Sequence, residues 1–327
     1  MKLLLELSME CESLARAEAL AAASTLGSKA KPILMEPGIL VVDTDADPIA
    51  LASRLGLCHH VDEWLSTCES GELESCARRI DVEGPIRVRS TKVGEMTLDL
   101  AGTTRRLGAI VGKTRGVDLS YPKSDIRVIF SEHAHIGKAM SSVERAAFEK
   151  RKNRYMPFVY PASLHPKFAR ALVNLTMTTR GGRLLDPFSG TGAILAEASM
   201  IGLHAIGSDF SERMIEGSRR NLAHLKQGAE LHLCDVGAIE DEIGEVAGIA
   251  TDPPYGRSTS TDGERLPQLY ERAFKSFHGV LRKGAKAAVV VPDMKLLDEA
   301  MGFRITGTHQ LRVHRSLTRN FCVLERT

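Results

Sequence analysis

Apolar and polar positions follow two rhythms along this chain. In the first, strands and short helices mix irregularly. Lys2–Ser8 reads as a strand, and Cys11–Leu26 is an alanine-rich helix stopped by Gly27. Apolar runs at Ile33–Met35 and Ile39–Val42 flank Pro37-Gly38, a hairpin-type turn. Asp47-Pro48 opens a short helix to Leu55, with Gly56 after its end. A strand is predicted over Leu57–Val61 and a helix of mixed polarity over Ser70–Arg79. There follow a strand at Pro85–Arg89, a helix over about Met96–Val111, an alternating strand around Ile126–Val128, and Ser131–Met140. From Tyr160 the second rhythm takes over, a regular alternation. Strands are predicted at Arg183–Leu185, His204–Ser208, Glu230–Leu233, Ala247–Ala250 and Ala285–Val291. Helices are predicted at about Pro166–Met177, Gly192–Met200, Glu212–Lys226 and Leu266–Leu281. A terminal pair, Phe303–His309 and Asn320–Glu325, reads as antiparallel.

The strand-helix-strand-strand-helix-strand order of the first eighty residues suggests a ferredoxin-like α+β unit. The alternation after residue 160 predicts an α/β, doubly wound sheet. A chain of 327 residues, 43% hydrophobic and 26% charged, is ordinary for a soluble globular protein and has room for about two domains. Met1-Lys2-Leu3-Leu4-Leu5 meets Glu6 too soon for a signal peptide, and no apolar run approaches membrane-spanning length. A cytoplasmic protein without membrane association is expected. The six cysteines form no CxxC pair, and Cys58-His59-His60 has no second ligand pair at a matching interval, so free thiols and no metal are expected.

The net charge of +2 conceals an asymmetry. Residues 1–77 hold 5 Lys/Arg against 13 Asp/Glu, whereas residues 78–160 hold 17 against 9. The basic block points to a polyanionic partner for the middle of the chain.

The chemistry concentrates at Thr251-Asp252-Pro253-Pro254-Tyr255-Gly256, after the apolar run Val246–Ala250. Two prolines fix φ and withhold backbone N–H groups, which makes a stiff corner at a strand end. The Asp252 carboxylate and the Pro253 carbonyl can accept two hydrogen bonds from one NH₂ group, and Tyr255 can stack on the ring that carries it. Upstream lies Leu184-Leu185-Asp186-Pro187-Phe188-Ser189-Gly190-Thr191-Gly192. With both motifs present in this order, the chain resembles the S-adenosylmethionine-dependent amino-methyltransferases, whose hallmarks are a DPFxGTG loop and a [DN]PP[YF] corner. The resemblance implies a class I S-adenosylmethionine methyltransferase sheet.

In such a sheet the ligand lies beyond the strand carboxyl ends, so the loop after the first strand should touch it. Gly190 and Gly192 allow a tight turn and a close backbone approach beside Phe188. The helix that starts at Gly192 offers N–H groups to the methionine carboxylate, and Asp186 can pair with its ammonium. Asp209, followed by Phe210, ends the second strand where an acid can bond both ribose hydroxyls. Asp235, flanked by Val236, follows the third, and the resemblance places adenine there with its amine donating to Asp235. Leu164 and His165 belong to Pro161–Pro166, which resembles the family's segment over the methionine end. A nicotinamide dehydrogenase would need a glycine where Leu195 stands.

Gly116-Val117-Asp118-Leu119 followed by Tyr121-Pro122 and an alternating strand resembles the THUMP domain of tRNA-modifying enzymes. The expected division is a ferredoxin-like unit at 1–80, a THUMP-like RNA-binding domain at 81–143, a basic linker at 144–159 and a methyltransferase domain at 160–327. Candidate RNA contacts are Arg87, Arg89, Arg105, Arg106, Lys113, Arg115 and Lys123, then Lys150, Arg151 and Lys152 of the linker. Arg315 and Arg319, between the last strands, are expected beside the target base. The whole constellation resembles the archaeal tRNA guanine-N2 methyltransferases that act on guanosine 10, which implies tRNA as partner and N2-methyl- and N2,N2-dimethylguanosine as products. The same chemistry at another guanosine, or an RNA-binding scaffold without activity, are the alternatives. Some relatives work with a small zinc-binding activator that pairs with a sheet edge, for which Glu230–Leu233 is the candidate here. Alone, the chain is expected to be a monomer.

Overall fold

The computed structural model describes residues 1–161, 163–256, 265–314 and 317–327. The chain divides into two compact units. The first holds Met1–Glu12, Leu26–Ser53 and Cys58–Val143; the second holds Ser13–Thr25, Arg54–Leu57 and Glu144–Thr327.

In the first unit the strands are β1 (Lys2–Leu7), β2 (Ala30–Glu36), β3 (Ile39–Thr44), β4 (Cys58–Cys68), β5 (Ile86–Lys92), β6 (Ser124–Phe130) and β7 (Ala134–Ser142). They form one sheet of order β2-β3-β1-β4-β7-β6-β5. The two predicted N-terminal pieces thus share a sheet, joined where β4 pairs antiparallel with β7. β4 runs well beyond the predicted Val61, its partner β7 pairing with it from His60 to Cys68. Asp62, fully buried, accepts from Arg127 Nη1 on β6 at 2.8 Å. Helices α2 (Pro48–Arg54), α3 (Leu73–Arg78) and α4 (Leu100–Arg115) punctuate this region. α4 starts four residues later than predicted because the Asp99 carboxylate caps it, accepting from Gly102 N at 2.8 Å.

The second unit carries β8 (Arg183–Asp186), β9 (His204–Asp209), β10 (Glu230–Leu233), β11 (Val246–Thr251), β12 (Leu281–Val291), β13 (Phe303–His314) and β14 (Leu317–Arg326). Their order is β10-β9-β8-β11-β12-β14-β13, parallel from β10 to β12 and antiparallel at β14 and β13. Strand order reverses between β8 and β11, which opens the crevice that binds ligands in doubly wound sheets. Helices α5 (Arg145–Lys150), α6 (Pro166–Leu175), α7 (Ala193–Met200), α8 (Glu212–His224), α9 (Ile239–Glu242) and α10 (Leu266–Val280) complete it. One face is sealed by Tyr270, Phe274 and Phe277 of α10 against Ile249, Ala287 and Val289. Helix α1 (Glu12–Leu26) contributes Ser13–Thr25 to this unit. Its buried Glu18 accepts from Gly56 N, Leu57 N and Asn174 Nδ2, each at 2.8 Å.

A second buried cluster fixes the chain that enters this unit. Glu197 of α7 is 1% exposed and takes Arg151 Nε at 2.7 Å and Arg170 Nη2 at 2.8 Å. Both guanidinium groups also lie against the Phe148 ring. Removing Glu197 strands two cations in a poorly hydrated site. Glu197→Ala is therefore expected to cost about 3–5 kcal/mol of stability, measured by urea unfolding. A cost under about 1 kcal/mol would show that the cluster is solvated.

Candidate active site

Three segments meet at the crevice. The turn from β8 into α7 needs a left-handed residue at Gly192, φ 79°. A Cβ there would lie 2.4 Å from Ser218 Oγ on α8, so only glycine lets the loop pack down. The second segment, Asn153–Pro161 with Ser163 and Leu164, lies over this loop. Asn153 Nδ2 donates to Tyr160 O at 2.6 Å, and the Asn221 side chain accepts from Phe158 N and donates to Thr191 O. Ser163 Oγ and Thr191 Oγ1 are 2.8 Å apart. The third segment is the Asp252–Tyr255 corner at the end of β11.

Together they enclose a cavity of about 290 Å³ lined by Leu164, Asp186, Phe188, Gly190, Asp209, Phe210, Asp252, Pro253 and Tyr255 among the residues singled out from sequence. Tyr160, Ser163, Ser189, Thr191, Ala193, Ile194, Ser211, Met214 and Pro254 also line it, and their motifs gave them no individual role. Gly192 shapes the loop from behind this lining. His165 stands at the start of α6, where Nδ1 accepts from Lys167 N at 3.2 Å. Asp235 and Val236 lie away from the cavity lining. Asp235 Oδ1 accepts from Gly237 N at 2.8 Å and pairs with Arg272, which turns the acid along the following turn.

Burial raises all three acids of the cavity above the ordinary carboxylate range. Asp186 is 1% exposed; its Oδ1 accepts from Thr251 Oγ1 at 2.7 Å and from Phe188 N at 3.3 Å. Burial pushes its carboxyl up to about 7, with Asp252 and Asp209 adding repulsion. Asp209 accepts from Gly190 N and Ser211 N, both at 3.0 Å, so it braces the glycine loop as well as lining the cavity. Burial raises Asp252 to about 6, against the charge of Arg319 and a hydrogen bond from Tyr255. The Tyr255 hydroxyl donates to Asp252 Oδ1 at 2.5 Å and accepts from Arg319 Nε at 3.2 Å. Arg319 Nη2 lies 3.9 Å from Asp252 Oδ2. Arg319 thus stands at the corner, hydrogen-bonded to the tyrosine and at ion-pair range of the acid.

This donor set suits a zwitterionic cofactor with a flat apolar ring. A buried acid faces the space, as does Ser189, whose hydroxyl is buried without a partner among the described residues. The first turn of α7 supplies free N–H groups, and half-exposed Phe210 supplies a flat wall. Among the described residues no group of His, Cys, Asp and Glu could hold a metal, and no helix is long and apolar enough to cross a membrane.

Residues 153–320 match the family described as RMKL-like, methyltransferase domain. The chain belongs to the RMKL-like methyltransferases. It is 34% identical over 287 residues to the tRNA (guanine(10)-N2)-dimethyltransferase of Methanothermobacter thermautotrophicus, covering 84% of each chain. The enzyme of the same name from Pyrococcus abyssi is 33% identical over 311 residues, 89% of this chain and 91% of that one. Among solved structures, TrmN from Thermus thermophilus matches over 100% of both chains with a TM-score of 0.56 at 23% identity, which shows a shared fold.

The basic residues of this RMKL-like methyltransferase fall into two groups. Arg105, Lys113 and Lys150 are exposed, as is Arg106, which lies 3.8 Å from Glu74. The others are held by acids: Arg87 and Arg89 by Asp125, Arg115 by Asp81, Lys123 by Glu83, Arg151 by buried Glu197, and Lys152 by Glu149. Arg315 lies outside the described residues.

Proposed function

We propose that this methyltransferase transfers the methyl group of S-adenosylmethionine to the exocyclic N2 amine of guanosine 10 in tRNA, forming N2-methyl- and then N2,N2-dimethylguanosine. The observation that carries the reading is the shared cavity. The Asp252–Tyr255 corner and the Asp186–Gly192 loop face one space, so an amine at the corner meets a methyl donor held by the loop. The relatives named above supply the substrate.

Bound S-adenosylmethionine supplies an electrophilic methyl group on a sulfonium. The residues do the rest. Asp186 would hold the ammonium, the α7 N-terminus the carboxylate, and Asn153–Pro161 with Ser163 and Leu164 would exclude water from the methionine end. The guanine amine is a poor nucleophile because its lone pair is delocalised into the ring. Donating its two N–H groups to Asp252 and the Pro253 carbonyl favours a pyramidal nitrogen with its lone pair aimed at the methyl group. Alignment then provides most of the acceleration. Asp252 can take the proton released when the C–N bond forms. The base has to be unstacked to enter.

The N-terminal unit, with exposed Arg105, Arg106 and Lys113 on α4, would hold the tRNA through its phosphates as a ferredoxin-like unit at 1–80 and a THUMP-like unit at 81–143. Residues 144–159 would link it to the methyltransferase domain. A small zinc-binding activator would have the open edge of β10 to pair with.

The test is transfer of labelled methyl groups to an unmodified tRNA transcript, followed by nucleoside analysis. Label in N2-methylated guanosine at position 10 supports the reading; label in another nucleoside or position overturns the substrate. Tyr255 gives a finer check. Tyr255→Ala is expected to lose about 5–150-fold in rate, because base–aromatic stacking contributes about 1–3 kcal/mol. Tyr255→Phe keeps the ring and loses the bond to Asp252, and its rate should fall between alanine and wild type. Equal rates for both variants would mean that the hydroxyl matters and the ring does not.

A further inference from the structure

We infer that Arg319 is a positioning residue for methyl transfer, which keeps Asp252 ionised and fixes the direction of the Tyr255 hydroxyl. The inference rests on reading Asp252 as the acceptor of the target amine. Arg319 enters from β14, and its side chain and that of Asp252 are each 12% exposed. Solvent therefore screens the pair little.

The two ends of the guanidinium do different work. Nε donates to the Tyr255 oxygen at 3.2 Å. With that oxygen occupied as an acceptor, the hydroxyl proton points to Asp252 Oδ1, 2.5 Å away. Oδ1 is thereby tied down and the carboxylate plane is set. Nη2 sits 3.9 Å from Oδ2, beyond hydrogen-bonding distance. At that separation the cation attracts the anion and leaves the Oδ2 lone pairs open to an incoming N–H. A direct Arg–Asp bond would have stabilised the charge and blocked the acceptor.

The surroundings make a cation necessary. Asp252 is faced by Tyr255 on its own corner, by Asp186 from β8, by Tyr270 from α10 and by Arg319 from β14. Asp186 repels a second negative charge, and the Tyr270 hydroxyl is buried without a partner among the described residues. Among the described residues Arg319 is the cation of this group. Without it, burial and Asp186 both favour the protonated acid, which accepts an N–H more weakly and cannot take up the proton released.

The experiment is the single-turnover rate of methyl transfer to saturating tRNA from pH 5 to 8.5, for wild type, Arg319→Gln and Arg319→Lys, with cofactor titration of each protein. Opposite charges at this range lower a carboxyl by about 1–3 pH units, so Arg319→Gln should move the acidic limb up by about that much while still binding S-adenosylmethionine. Arg319→Lys should return the limb towards wild type but keep a lowered plateau, since an ammonium cannot reproduce the planar fork. An Arg319→Gln limb coincident with wild type overturns the inference. If the glutamine variant does not bind cofactor, the lysine variant decides, and wild-type plateau and limb there overturn it equally. Failure of the wild type to methylate guanine N2 overturns the underlying reading instead.

Discussion

Asp252→Ala is expected to reduce methyl transfer by at least about a hundredfold while binding of S-adenosylmethionine survives. The rate loss follows from two roles that one carboxylate combines: accepting an N–H of the target amine so that the nitrogen lone pair is aligned, and taking the proton afterwards. General-base assistance alone contributes about 10²–10⁴-fold, and lost alignment adds to it. Cofactor binding should persist because the Asp186 carboxylate and the glycine loop remain. It should even resist acid better, since the Asp252 charge is one of the influences that raise Asp186. The check is a single-turnover assay beside calorimetric titration of the cofactor. Near-normal turnover would remove Asp252 from the chemistry; loss of cofactor binding together with turnover would make it part of the cofactor site.

The site was legible in the sequence to the extent that its chemistry is written in contiguous motifs. Asp186 and Asp252 each sit in a short rigid run at a strand end, and strand order alone brings β8 and β11 side by side. The alternating strands of the second unit were legible for the same reason, because buried parallel strands read as apolar runs. Pairings between distant positions were not. Glu18 and Asn174, or β4 and β7, are matched by three-dimensional complementarity that leaves no local period. The direction of a lone acid was not legible either. Asp209 and Asp235 both follow strands, yet one lines the cavity and the other turns to Gly237 and Arg272. Thr251 could have been noticed. A fully buried polar residue that ends an otherwise apolar strand needs a partner, and the partner is Asp186.

Asp186→Asn should separate the two things this buried acid does. In the cofactor-free protein its carboxyl lies at about 7, well above its unfolded value of about 4. A carboxyl raised on folding contributes stability that is complete below the unfolded value and is lost as pH rises through the folded one. The free wild-type protein should thus melt at a lower temperature at pH 8 than the asparagine variant, and the gap should close towards pH 5. Asparagine keeps the bond from Thr251 through its own oxygen and carries no charge to desolvate. Cofactor binding has the opposite sign. The methionine ammonium needs the ionised carboxylate, so wild-type affinity should be full above about pH 7 and fall by up to about tenfold per pH unit below it. The asparagine variant should bind about 10–150-fold more weakly at pH 8, because a hydrogen bond to a charged group contributes about 1.5–3 kcal/mol. Its affinity should stay nearly flat from pH 5.5 to 7.5. Cofactor titration and thermal melts across this range test both halves. An unchanged wild-type pH slope in the variant would move the ammonium to another acid, and Asp209, the other raised carboxyl beside the glycine loop, would be the one to replace next.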